Sequence, residues 1–423
     1  MRVVYPTCCG VDVHKSFLVA TIIKSEGLTP KYSKKRFSTF NNGILQFKQW
    51  LVENNCFDVC MESTGKYWVP VYNLLEDIIR VAVASPKWVK AVKGNKDDIK
   101  DSKWIGDLFR LGLVPGSYIP EKPIRVLREY TCYRAKLVGN KSSEKNPFQN
   151  SFTLCNVALD SVVSDMFGKS ATSITDYLIQ TDDFDPEHCK SLLLKSLKKK
   201  GDEVVESIIG YEINSAQKER MLMIRAHLNF IVESIDMIDS KLDEFAAPFE
   251  TYIALLCSIP GVDRRSAITI ISEIGTDISL FNNDKRLCCW AGLTPSNNQS
   301  AGKKKSVRIS RAHCVATGVY LKPALVQVAH AAVKSKDFPY YKNKYDRISK
   351  RRGKKRAIIA IARMILTAIF SMFSSGEYWN PSDLCKTDMP PFLHERQRQK
   401  AINNAIKLLI SQGVIKQHAV PAV

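Results

Sequence analysis

CCGVDVHKSFLVATII, residues 8–23, decides the fold of the N-terminal part of this chain. Two apolar runs flank a short polar break at His14, Lys15 and Ser16, a pattern that predicts two strands joined by a tight turn. Reading outward, Lys35 to Phe40 is a third strand and Gly43 to Glu53 a helix. Phe57 to Met61 is a fourth strand ending at Glu62. Ser63-Thr64-Gly65 then supplies a turn and a cap before a helix from Tyr67 to Ile79. Arg80 to Ser85 is another strand, and Ile99 to Leu111 an amphipathic helix. Three strands followed by strands alternating with helices predict a mixed sheet covered by helices.

The acidic residues fall at particular places on that sketch. Asp12 closes the first strand among apolar neighbours, and Glu62 closes the fourth. Asp98 and Asp101, three apart at the start of a helix, project from one face. Taken singly, each has a plain explanation. A helix N-terminus favours aspartate through its dipole, Glu62 can be a strand-end surface residue, and Asp12 can form a turn. Jointly, four carboxylates converging on one sheet edge would repel one another. Divalent cations relieve that repulsion, and two Mg²⁺ a few Å apart suit phosphodiester chemistry.

Composition narrows the partners. The 423 residues suggest two or three domains, and 45% hydrophobic residues exclude wholesale disorder. Lys and Arg outnumber Asp and Glu by 62 to 42, a net charge of +20 that points to a polyanion; a basic membrane-surface protein would share it. The apolar run before Asp12 is too short for a signal peptide. Ala357 to Phe373, the longest apolar stretch, contains Arg363 and reads as a buried helix, not a membrane span. Twelve cysteines include no CxxC pair, so we read them as reduced, mostly buried thiols of a cytosolic protein.

Further along, Ser191 to Glu244 reads as long, charged and helical. Leu222, Ile224, Leu228, Ile231, Ile235, Ile238 and Leu242 form a stripe. That stripe serves either its own domain or an arm pairing with a second chain. Phe167-Gly168-Lys169-Ser170 lacks the earlier glycine of a phosphate loop, Val163 standing there. Ser258 to Asp263, followed by Ser266-Ala267-Ile268, looks like a helix-hairpin-helix with Asp263 in place of the second glycine; Pro-Gly turns also join ordinary helices. The polar loop from Asn297 to Lys303 exposes Ser300 beside Lys303, Lys304, Lys305, Arg308 and Arg311. Such a serine is either a turn former or a nucleophile, and as a nucleophile it needs activation and cations to offset phosphate charge. Lys350, Arg351, Arg352, Lys354, Lys355 and Arg356 form either a solvated face or, as we favour, a phosphate-binding patch. Residues 376–423, with four prolines and a helix pattern from Arg396 to Gln412, read as an appended tail.

The carboxylate order resembles the RNase H-like fold of RuvC-type resolvases with a D-E-D-D metal site. More closely, GVDVHK, ESTGKYWVPVYNLLED, KDDIKDSKWIGDLFRLGLV and IRVLREYTCYR resemble the insertion-sequence "one-ten" family of transposases, known as bridge-RNA-guided recombinases. The resemblance runs to about residue 375, loosely over 140–185. It implies an α/β RNase H-like (RuvC-like) metal domain over residues 1–150 and a helical, coiled-coil oligomerisation region over 151–250. A mainly α transposase domain with the helix-hairpin-helix-like element and the serine loop follows over 251–375, then the tail over 376–423. By this match Asp12, Glu62, Asp98 and Asp101 hold Mg²⁺, two ions per site. Asp97 stands where the family carries a small polar residue, so either Asp97 or Asp98 ligates. Ser300 takes the nucleophile's place, Ser306 and Ser310 lying outside the matching Ser-Ala-Gly-Lys position. YLKPALVQVAHAAV fits as well, whereas Ile309 to Gly318 departs from the family's Lys-Gly-Asn pattern. The implied partners are DNA (element ends and target), a noncoding bridge RNA and further copies of the chain, a dimer assembling to a tetramer. The implied setting is a prokaryotic cytoplasm, with no membrane. Two rivals stay open: a RuvC-like endonuclease that uses water, and a non-catalytic nucleic-acid-binding protein. A tyrosine recombinase acting through Tyr340 or Tyr341 lacks a matching Arg/His constellation.

Overall fold

The structure, a computed structural model, describes residues 2–26, 29–63, 65–89, 98–181, 183–294, 296–300, 303–307, 319–336, 339–380 and 399. The chain divides into two compact units, one ending at Glu121 and the other beginning at Lys122.

The first unit is built on a mixed sheet. Its elements are β1 (Thr7–Val13), β2 (Phe17–Glu26), β3 (Thr29–Ser38), α1 (Asn41–Glu53), β4 (Asp58–Glu62), α2 (Trp68–Leu75), β5 (Arg80–Ala84), α3 (Pro86–Val89) and α4 (Asp98–Arg110). The strand order is β3-β2-β1-β4-β5. The three N-terminal strands pair antiparallel, whereas β4 runs parallel to β1 and to β5. The period-two pattern sorts the side chains into two cores. Cys9, Val11, Val13, Leu18, Ala20, Ile22, Val59 and Met61 face α1 and α2. Cys8, Ile23 and Cys60 face Ile105 and Phe109 of α4. Two expected boundaries move. β3 begins at Thr29 and not Lys35, because an exposed edge strand rich in lysine carries no apolar alternation. The helix expected to reach Ile79 ends at Leu75.

Gly10 and Gly106 set the spacing of α4 on β1. A Cβ on Gly10 would overlap the Ser102 carbonyl oxygen and the Gly106 amide nitrogen. Only glycine permits this approach, and it lets Thr21 and Ser102 meet through their hydroxyls at 2.8 Å.

The second unit is helical: α5 (Lys122–Leu154), α6 (Lys169–Gln180), α7 (Pro186–Ser191), α8 (Gly201–Glu206), α9 (Ser215–Ala246), α10 (Glu250–Cys257), α11 (Arg264–Ile274), α12 (Asp284–Trp290), then a hairpin of β6 (Ser296–Ser300) and β7 (Lys303–Val307), and α13 (Leu321–Lys334), α14 (Tyr340–Arg352) and α15 (Lys354–Ser375). The division expected at residue 150 falls inside α5, whose Gly139 and Pro147 mask it in the sequence. The long helix expected from Ser191 starts only at Ser215, where Asn214 and Gln217 form a capping box. Its stripe is covered within the chain. Tyr130 packs on Phe245, Arg134 binds Asp239, Glu144 meets His227 and Arg225 stacks on Phe148. Rising numbers on α5 meet falling numbers on α9, an antiparallel helix pair that buries Leu228, Ile231, Ile235, Ile238 and Leu242. Leu222, expected in the stripe, is exposed instead. α11 is tied to α5 by the bidentate Arg128–Glu273 pair and by Thr131 with Ser272. α15 is long and apolar enough to cross a membrane, yet Ile358, Ile361, Ile365, Leu366 and Ile369 are buried within this unit.

Gly10→Ala should therefore cost about 1–3 kcal/mol of stability through overpacking. Gly116→Ala, where a Cβ meets Ala82 at an ordinary 3.7 Å, should be close to neutral. Urea unfolding of the two variants checks the contrast.

Candidate functional site

Asp12 and Glu62 sit at the C-terminal ends of neighbouring parallel strands. Val11 pairs with Met61, so the next residue on each strand turns to the opposite face, the one α4 covers. The direction of α4 follows from its contacts. The carbonyl of its last residue, Arg110, accepts the amide hydrogens of Val4 and Tyr5, whereas Gly106 and Ser102 lie against Gly10. α4 thus runs antiparallel to β1, and its N-terminal turn, with Asp98 and Asp101, lies at the β1 end that carries Asp12. Asp101 precedes the buried Ser102 and shares a helix face with Ile105. The backbone of Asp98 opens α4; its side chain, and all of Asp97, fall outside the described residues. Among the described residues no three His, Cys, Asp or Glu side chains form a metal-holding group.

Asp12 is 9% exposed, and its Oδ2 lies 3.0 Å from Nε2 of His14. The His14 ring packs on Phe17 at 4.5 Å between centroids. Sequence reasoning misses this partner of Asp12, although its i+2 position just past a strand end is a usable signal. Glu62 is half-buried. The acidic oxygens offer hard donors, the kind Mg²⁺ takes. The ten described cysteines are free, and burial pushes the thiols of Cys8, Cys56 and Cys60 up to about 12.

In the second unit, Ser300 closes β6, directly opposite Lys303 in the hairpin register. The expected polar loop is thus a two-stranded ribbon with Ser300 next to its tip. Lys303, Lys304 and Lys305 belong to β7, and Arg308 and Arg311 lie outside the described residues. Lys350, Arg351 and Arg352 end α14, while Lys354, Lys355 and Arg356 begin α15 across Gly353 at φ 83°. All six are exposed, and among the described residues no carboxylate pairs with them.

The Pro-Gly turn behaves otherwise. A Cβ on Gly261 would overlap the Ala332 backbone, so this glycine serves close packing of the turn on α13. The Asp263 carboxylate accepts the Ser266 amide hydrogen at 2.8 Å and fills the anion position at the start of α11. Burial opposes ionisation of Asp263, but the bonds donated by Ser266 hold its carboxyl below the usual range. Arg264 is bound by Asp243 and Glu250, and Arg265 by Asp239 and Asp243. Ser170, at the phosphate-loop-like segment, is buried and accepts the Leu194 amide hydrogen. The tail's first residues dock onto this unit: the Trp379 amide donates to Ser258 Oγ, and its indole N–H donates to the Tyr341 hydroxyl at 3.1 Å. Tyr341 is fully buried, and burial pushes its phenol well above the usual range. A neutral, enclosed phenol is not a nucleophile. Tyr341→Phe should lose about 1 kcal/mol of stability in urea unfolding, as the Trp379 indole N–H loses its acceptor.

Two family models match the chain. One, described as Transposase and of the DEDD IS110 type, matches residues 9–156; the other, described as Transposase IS116/IS110/IS902 family, matches residues 253–346. Together they span more than half of the chain. The first match fits an RNase H-like α/β fold, in agreement with the mixed five-stranded sheet. No curated protein matches.

Proposed function

For a chain that belongs to the IS116/IS110/IS902 family of transposases, and is therefore a DNA transposase/recombinase, we propose a site that joins the four carboxylates to Ser300. In this reading Asp12, Glu62, Asp98 and Asp101 hold two Mg²⁺, and Ser300 is the nucleophile, from the same or a neighbouring subunit. The observation that supports it is that Asp12, Glu62 and the N-terminal turn of α4 lie at the same end of the sheet. The bound ions would supply charge neutralisation at the phosphate and help activate the serine.

The chain's own part follows from ordinary phosphoryl chemistry. Ser300 Oγ forms a bond to the scissile phosphorus as the bond to one sugar oxygen breaks. The serine loses its proton, and the departing sugar oxygen gains one. The phosphoserine link keeps the phosphodiester's energy, so a second sugar hydroxyl can displace serine and complete strand exchange. Lys303, Lys304, Lys305, Arg308 and Arg311 offset the phosphate charge near Ser300. His14 holds Asp12 in place. Sequence choice falls largely to pairing between a noncoding bridge RNA and the element-end and target DNAs. The same chain assembles as a dimer and then a tetramer. Support for assembly comes from Met223, Phe230 and Met237, seven residues apart on α9 and 70%, 63% and 63% exposed on the side away from α5.

A denaturing gel for protein–DNA adducts tests the nucleophile, with Mg²⁺, element-end DNA and the flanking transcript supplied. An adduct should form with wild type and be absent with Ser300→Ala. Equal cleavage by both proteins without any adduct would instead establish a water-using nuclease and remove Ser300 from the mechanism.

The basic run at the α14–α15 junction makes a separate prediction. Replacing Lys350, Arg351 and Arg352 by alanine should flatten the plot of log affinity against log salt, by about 0.9 for each duplex phosphate no longer neutralised. Fluorescence anisotropy over a salt series measures it.

A further inference from the structure

β3 carries a feature that the carboxylate site does not use. This edge strand is exposed from Lys31 to Arg36, and its sequence, Lys31-Tyr32-Ser33-Lys34-Lys35-Arg36, interleaves cations with an aromatic ring. Pairing fixes where these side chains lie. Asp12 pairs with Val19, and Val19 pairs with Arg36. Arg36 and Asp12 therefore share one cross-strand row and one sheet face. At about 4.8 Å per strand, they are separated by about 10 Å.

The Arg36 guanidinium is also aimed. It stacks on Phe17 at 3.7 Å, a residue paired with Ser38 and so diagonal to Arg36 in the direction of the β1 end that carries Asp12. The same Phe17 ring packs against His14, which holds Asp12. One continuous line of contacts, Arg36–Phe17–His14–Asp12, thus runs from the sheet edge to the carboxylate. Lys34 follows two residues along the same face. Lys103 of α4 lies over the Tyr32 ring at 4.0 Å. Asp107 is engaged elsewhere, by the Tyr32 hydroxyl and by Arg110. Among the described residues no carboxylate pairs with Lys34, Arg36 or Lys103.

We propose that Arg36, backed by Phe17 and flanked by Lys34 and Lys103, is a phosphate clamp for the DNA strand being cut. It grips a backbone phosphate away from the scissile one. Successive phosphates on one strand wind around the axis and lie further apart than the axial rise of about 3.4 Å per nucleotide, so a separation of about 10 Å places the gripped phosphate about one or two nucleotides from the bond that breaks. A planar guanidinium held over a ring gives two donors in a fixed fork, which suits phosphate oxygens. DNA is the occupant because the row begins at the carboxylate that, in the proposed function on which this inference rests, serves the DNA bond.

The experiment uses the full-length protein and a duplex carrying the element's end. Binding is followed by fluorescence anisotropy over a salt series for wild type, Arg36→Gln and Arg36→Lys, and cleavage is scored for Asp12→Asn. Arg36→Gln should weaken duplex binding about tenfold and lower the salt slope by about 0.9. Arg36→Lys should restore the slope, and affinity for the transcript RNA should not move. A single neutral methylphosphonate about one or two nucleotides from the cleaved bond should weaken wild type and leave Arg36→Gln unaffected. Because this measurement is made on the wild-type protein too, it decides the matter even if Arg36→Gln unfolds early. An unchanged slope with Arg36→Gln, or a loss confined to RNA, overturns the clamp. If Asp12→Asn abolishes cleavage in that case, the carboxylate site survives alone. Cleavage that persists with Asp12→Asn removes both.

Discussion

The contact between Gly10 and Gly106 is the constraint on which the first unit depends. A helix packed over a sheet ordinarily rides on a layer of side chains. Here two glycines face each other, so the α4 backbone approaches that of β1 closely enough for Thr21 and Ser102 to meet through their hydroxyls. That approach fixes both the height and the register of α4. Register is what brings the start of α4 to the end of β1, where Asp12 lies. A helix free to slide could not keep its first turn at that end of the sheet, and the paired glycines remove that freedom.

The net charge of +20 is not spread evenly in its consequences. In the second unit many arginines are engaged internally. Arg134, Arg264 and Arg265 share Asp239, Asp243 and Glu250, and Arg225 pairs with Asp176. Arg128 meets the buried Glu273, whose carboxyl burial pushes up while Arg128 opposes the rise. These cations hold helices together and contribute little to an external field. The exposed runs at the α14–α15 junction and on β3 carry the charge that a polyanion would meet. Counting basic residues in a sequence cannot make that separation, because a cation's availability depends on which carboxylate folding brings beside it.

The elements legible in the sequence are those with a strong period and one buried face. β1, β4 and α4 appear within a residue or two of where their patterns put them, and β2 runs three residues past Ile23. The N-terminal half of β3 is not legible, because an edge strand bathed in water on both faces shows no alternation. α5 is hidden because Gly139 and Pro147 argue against a helix, and tertiary packing against α9 overrides them. Lysines and leucines favour helix throughout Ser191 to Asn214, yet Gly201 and Gly210 divide that stretch. For the candidate site, strand-end Asp12 and Glu62 are visible because a carboxylate that ends an apolar strand needs a partner. Arg36 is not, since it lies two strands away and reaches this end of the sheet only through Phe17.

The sequence by itself determined the kinds of residue and their order: carboxylates at strand ends and at a helix start, a serine among lysines, and an excess of positive charge. Local patterning suffices for that, because a residue's place along a strand or helix follows from period and cap. Only the tertiary structure decided which of those residues meet and which are already taken. It set the row that links Asp12 to Arg36, the closure of the α9 stripe by α5 and the enclosure of Tyr341 under Trp379. Each of these is a contact between residues distant in sequence. Their outcome depends on strand register and helix packing, quantities that no short window of sequence contains.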